Sequence, residues 1–198
     1  MIKHIEVIVT NVEEAIAAEQ YGATRLELIH GFDLGGLTPD LELARNVCNA
    51  VSIPVNVMIR PQGHSFIFSQ TDMKTALNEV DFILEQTQAN AIVFGTLDNN
   101  LHINTQQLEQ IIQHISGSNL ELTFHRAIDE SYDVVKSFHE LVTAYPNQVN
   151  RVLSSGGKTT ALDGAVNLAK MQQIAINSPL KLLAGSGITP HNATELIR

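Results

Sequence analysis

Residues 25–39 read RLELIHGFDLGGLTP. Leu26, Leu28 and Ile29 have the composition of a buried strand, yet Glu27 sits among them. A carboxylate in a strand interior costs several kcal/mol unless it is paired, hydrogen-bonded or metal-bound. The second half is a long glycine-bearing loop that runs to Thr38 and Pro39. A hydroxyl followed by proline is expected to start a helix, with Thr38 as N-cap and Pro39 at the first helical position. Strand, loop and helix in this order form one unit, and the rest of the chain repeats it.

Short apolar runs recur as IEVIV (5–9), LELI (26–29), VNVMI (55–59), AIVFG (91–95), LELTFH (120–125), RVLSS (151–155) and KLLAG (181–185). Between them lie patterns such as NVEEAIAAEQYGA, DLELARNVCNAV, DMKTALNEVDFILEQT, TQQLEQIIQHI and ALDGAVNLAKMQQIA. Their apolar residues return at three- and four-residue steps, as on one face of a helix. The strands are continuous and apolar, the mark of parallel strands covered on both sides. An open sheet with a dinucleotide site would carry GxGxxG at its first strand–helix turn, and VIVTNVEEA has no glycine there. The even repeat therefore predicts an α/β fold, a TIM-type (β/α) barrel in a single domain over residues 1–198. Seven strands are counted, and TPHNATELIR lies where the helix after the seventh belongs. An eight-stranded barrel needs one strand more than this chain shows, so the eighth is expected to be missing, with exposed edges at the first and seventh.

Composition narrows the function. The 198 residues are 44% hydrophobic and 17% charged, with a net charge of −9. An acidic surface argues against nucleic acid or an anionic membrane as partner. MIKHIEVIVT enters a strand at once, and no apolar run reaches a membrane-spanning length of about 18 residues. The single cysteine, Cys48, excludes an internal disulfide and any CxxC site, and its helical setting reads as a small buried thiol. A cytoplasmic location is expected.

Side chains alternate along a strand, so parity sorts them into two faces. Glu6 and Ile8 share one face of the first strand, Glu27 and Ile29 one face of the second, and Asn56, Met58 and Arg60 one face of the third. Glu121, Thr123 and His125 share a face of the fifth. The opposite faces are apolar and should meet helices, which turns the polar faces into the barrel. Glu27 is then expected to look toward Glu6, Arg60 and His125. One reading is a structural ion-pair network with Arg60 between two carboxylates. The other is a site, because Arg60 and His125 end their strands where barrel enzymes keep their chemistry. There His125 would act as general acid/base, Arg60 and Arg126 as clamps and Asp129 as orienting carboxylate, with Glu6 and Glu27 tuning them.

The loops add to the second reading. Ser155, Gly156, Gly157 and Lys158 after the sixth strand, and Gly185, Ser186 and Gly187 after the seventh, form glycine turns. Their N–H groups are expected to hold a phosphate or carboxylate. RPQGHSFIFS after the third strand reads as a lid, with Phe66 and Phe68 closing over the mouth. The reaction implied is an enzymatic one on a small anionic or phosphorylated substrate.

Taken in order, EVIV, RLEL…GGLTP, IPVNVMIRP, VFGTLD…HI, TFHRAID, RVLSSGGKTTALDG and AGSGIT resemble the CutC copper-homeostasis family from about residue 4 to residue 195. The resemblance implies a cytoplasmic TIM-type barrel associated with copper homeostasis, with a copper ion as candidate ligand beside the small anion. A homodimer is the expected assembly. Many members carry cysteines where this chain has Ile8 and Ile29, and copper(I) prefers sulfur. Met58 is the sulfur left on the interior face, so a tight copper(I) site of that kind is not expected. His30, His64 and His125, with Glu27, are the remaining metal candidates, for copper(II) or zinc.

Overall fold

The computed structural model describes residues 4–196. Among them seven strands alternate with six α-helices: β1 Glu6–Val9, α1 Val12–Gln20, β2 Arg25–Leu28, α2 Leu41–Ala50, β3 Val55–Met58, α3 Gln70–Gln86, β4 Ala91–Phe94, α4 Thr105–His114, β5 Glu121–Phe124, α5 Val134–Ala144, β6 Arg151–Ser154, α6 Ala165–Ala175 and β7 Lys181–Ala184. This strand–helix alternation, with parallel pairing from β1 to β4 and from β5 to β7, is that of the TIM-type (β/α) barrel class. Every apolar run read as a strand is one, to within a residue or two. No helix among the described residues is long and apolar enough to cross a membrane.

The chain divides into two compact units. One holds the chain up to Phe94 with Glu109–Glu121, and the other holds Gly95–Leu108 with the chain from Leu122. In the first, β1 to β4 pair in order, with Ile8 opposite Glu27, Glu27 opposite Asn56 and Met58 opposite Val93. Leu26, Leu28, Val57 and Ile92 on the apolar strand faces are fully buried, as are Ala44 and Val47 of α2 and Ala76 and Val80 of α3. In the second, β5, β6 and β7 pair in order, with Thr123 opposite Arg151 and Leu153 opposite Leu183. Leu122, Phe124, Val152, Phe138 and Leu141 fill its core.

Local signals explain the helix starts. Ser69 and Asp72 close a reciprocal capping box on α3. Asp133 caps α5 by accepting from the N–H groups of Val135 and Lys136, which holds its carboxyl below the ordinary range. Two expectations are corrected. The N-cap of α2 is Asp40, which accepts from Leu43 N at 3.0 Å, and the helix starts at Leu41. Thr38 is not free to cap, because its hydroxyl accepts from Arg60 N and donates to Glu79. Helix α6 starts at Ala165 rather than near Ala161, since Thr160 and Asp163 bond each other in a turn first.

Candidate functional site

In the first unit the polar faces of β1, β2 and β3 come together as parity requires. The guanidinium that pairs with Glu6 is Arg25, through Nε to Oε2. Asn56 Nδ2 donates to the same carboxylate at 2.9 Å. Arg25, Glu27 and Asn56 are all buried, and Asn56 Oδ1 has no hydrogen-bond partner among the described residues. Arg25 shares its strand face with Glu27 and Ile29, so parity alone could have found it.

Arg60 donates from both of its Nη groups to the loops. Nη1 donates to Leu34 O at 2.9 Å and Gly36 O at 3.0 Å, and Nη2 reaches Gly63 O at 3.4 Å. Its guanidinium lies 4.3 Å from the centre of the Phe66 ring, a cation–π contact. Arg60 N donates to Thr38 Oγ1 while Thr38 N donates to Arg60 O. Arg60 is thus a buried latch joining the loop after β2 to the loop after β3. The lid reading fails for the same reason: Phe66 is buried against Arg60, and Phe68 is buried with its ring 5.8 Å from that of Phe94.

The sulfur and histidine candidates scatter. Met58 packs in an apolar cluster with Ile29 and Val93. Cys48 is buried in α2, and burial pushes its thiol pKa up to about 11. His30 and His64 are exposed. Among the described residues, no group of three or more His, Cys, Asp or Glu side chains is placed to hold a metal ion. A soft ion needs deprotonated sulfur or converging imidazoles. The donors present do not fit a tight copper(I) centre.

The second unit gathers most of the remaining candidates after β5 and β6. His125 is buried, and its Nδ1 accepts from Ala127 N at 3.2 Å, which leaves the ring proton on Nε2 in the neutral form. Its ring lies against Gly95, where an added Cβ would come within 2.6 Å of Nδ1. A glycine at the end of β4 is the only trace of this in the sequence.

Asp129 is the hub. Its Oδ1 accepts from Ser154 Oγ at 2.6 Å and from the N–H groups of Ser155 and Gly157, both at 3.0 Å. Its Oδ2 accepts from Ser155 N, Ser155 Oγ and Arg126 Nε, each at 2.9 Å. The glycine turn at 155–158 directs the amides of Ser155 and Gly157 onto the protein's own carboxylate, where an external phosphate or carboxylate was expected. Gly156 and Gly157 take left-handed φ of 73° and 72° to aim those amides. The turn also folds hard onto Gly164: a Cβ on Gly164 would sit 1.8 Å from Ser155 O. Asn167 Nδ2 ties Gly156 O from α6 at 2.9 Å.

Around that filled nest, two cations face outward. Arg126 is held on one side only, and Lys158 is exposed. The turn after β7 is anchored to the same loop: Ser186 Oγ donates to Thr159 O, and Ala161 N donates to Ser186 O. Ser186 is a non-glycine residue at φ 78°.

A family model described as the CutC family matches residues 3–198. This chain belongs to the CutC family. The CutC of Histophilus somni is 34% identical over 194 residues, which is 98% of this chain and 77% of that protein. The CutC of Photobacterium profundum is 34% identical over 197 residues, covering 100% and 78%. Among solved structures, the CutC of Streptococcus agalactiae, named for copper homeostasis, superposes with a TM-score of 0.86 at 24% identity, over 98% of this chain and 92% of that one. A phosphoenolpyruvate phosphomutase of Streptomyces platensis gives 0.59 at 11% identity, over 93% and 77%. At such identities the structural matches show the fold alone, whereas the family rests on the sequence matches. CutC membership fixes the TIM-type barrel class and leaves the ligand to the residues.

Proposed function

We propose that this CutC-family chain serves copper homeostasis in the cytoplasm without itself holding copper(I) tightly in its strand layer. The carrying observation is the sulfur inventory of the first unit. Isoleucines stand at positions 8 and 29, where the resemblance places cysteines. Met58 is committed to apolar packing with Ile29 and Val93. Cys48 is buried with its pKa raised to about 11, so it stays protonated at neutral pH and is a poor ligand. The assembly we propose is a homodimer, a reading supported by the exposure of Ile8 on β1 and of Ile5 just before it, and checked by sedimentation.

The test is a copper(I) competition titration of the reduced protein against a chromophoric chelator. The wild type should leave the chelator loaded, and the double variant Ile8→Cys/Ile29→Cys should gain about one equivalent of copper(I), because two thiolates supply the soft donors. A wild-type protein that strips the chelator would overturn the reading.

A further inference from the structure

We propose that the loops after β5 and β6 form an oxyanion clamp, in which the outward edge of Arg126 and the ammonium of Lys158 take the phosphoryl group of a small molecule. Asp129 is the positioning residue. This goes beyond the copper reading and concerns a different part of the chain.

The argument starts from how Arg126 is held. A guanidinium carries five N–H donors in a fixed plane. Nε is aimed at Asp129 Oδ2 at 2.9 Å, while Nη2 reaches Ser155 Oγ at 3.1 Å and Lys158 O at 3.5 Å. Those contacts take the inner edge. Nη1 has no acceptor among the described residues, and the side chain is 40% exposed against 5% for Asp129. A surface arginine ordinarily loses side-chain freedom when it captures an anion. Here that freedom is already spent, because a carboxylate fixed by four further donor groups fixes the guanidinium in turn. The two N–H groups of Nη1 are then left in a fixed plane to donate to phosphate oxygens.

Charge and strain point to the same place. The protein carries −9 overall with only 12 Lys and Arg, yet Arg126 reaches the backbone of an exposed lysine, from Nη2 to Lys158 O. Asp129 offsets one of the two charges, so a dianionic group meets a locally positive edge. Ser186 at φ 78° is strained, and its bonds to Thr159 and Ala161 brace the segment that follows Lys158. Strain of this kind collects at ligand sites, where rigidity has a use.

The test is calorimetric titration with inorganic phosphate and with methyl phosphate, against chloride at matched ionic strength. Saturable binding is expected, weakened by added salt because the clamp is partly exposed. Arg126→Gln should lower the affinity by about tenfold or more and Lys158→Ala by about threefold, with melting curves showing that both stay folded. Asp129→Asn should lower it while both cations remain, a loss that a bystander at position 129 would not give. Binding no different from chloride, or wild-type affinity in both Arg126→Gln and Lys158→Ala, would overturn the clamp. Acetate competing as well as phosphate would overturn the phosphoryl assignment.

Discussion

Arg60 and Arg126 each follow a strand, each in a loop where a barrel keeps its chemistry, and the two guanidinium groups are put to different uses. Arg60 is 5% exposed, and its Nη groups are turned onto three backbone carbonyls, with Phe66 covering the plane. Arg126 is bound along one edge and open along the other. The difference lies in the acceptors. Carbonyls of two flanking loops surround Arg60 and consume it as architecture. One buried carboxylate faces Arg126 and orients it without using it up. Residue type and position at a strand end do not distinguish a latch from a clamp; the number and direction of acceptors do.

The largest expected effect tests the frame of the second region. Gly156→Ala adds a Cβ 2.4 Å from Gly164 O at a φ of 73°, where backbone must move. A loss on the order of 4 kcal/mol in urea unfolding is expected, with loss of the fold at moderate temperature. A melting curve like that of the wild type would mean that the Asp129 nest is looser than the geometry indicates.

Arg60→Met strips three loop carbonyls of their donor and removes the cation over Phe66. It should cost about 2–3 kcal/mol and expose residues 31–37 and 61–68 to limited proteolysis. An intact digestion pattern would break the contrast, because Arg60 would then be as dispensable to stability as a surface arginine. Gly95→Ala should cost about 2 kcal/mol, since the methyl group drives into the His125 ring at 2.6 Å. The His125 ring proton resonances should shift in the same variant.

Arg126→Met should cost only about 1 kcal/mol, because its ion pair is partly solvated and Asp129 keeps its four other donor groups. That smaller figure beside the loss in Arg60→Met is the comparison in its sharpest form. The smallest effect concerns Glu79, which is partly buried against Thr38, and burial raises its pKa. A carboxyl with a raised folded pKa is better tolerated protonated, so its contribution is present below the ordinary carboxylate range and lost as pH rises through the raised value. Glu79→Gln should therefore be slightly more stable than wild type at neutral pH, with the gain fading as pH falls through the raised value and gone below about pH 4. Equal stabilities at pH 7 would show that the bond from Thr38 fully offsets the burial.

Much of this was legible in the chain. The seven strands followed from apolar runs of one length, and the interior faces from parity, which placed Glu6, Glu27, Asn56 and Met58 together. The glycines marked 155–158 as a turn with inward amides, but did not show that Asp129 would occupy them. Other features left little trace. Arg25, the partner of Glu6, is the exception, since parity puts it on the strand face of Glu27. Gly95 owes its identity to the His125 ring thirty residues on, and Gly164 to the Ser155 carbonyl of the folded turn before it, contacts that helix and strand periodicity do not encode. Phe66 and Phe68 looked like a lid because their loop is rich in turn residues, yet their rings are more stable buried against Arg60 and Phe94 than in water.

By itself, then, the sequence determined whatever depends on periodicity and composition: the strand–helix alternation, the polar inner faces, the acidic charge and the membership of the CutC family. Tertiary structure alone decided which charges meet. An ion pair or a nest forms where several segments bring donors within about 3 Å of one acceptor, and that convergence is a property of packing. It gave Asp129 to the Ser155–Gly157 amides, Arg25 to Glu6 and the loop carbonyls to Arg60, and it left the outer edge of Arg126 facing solvent.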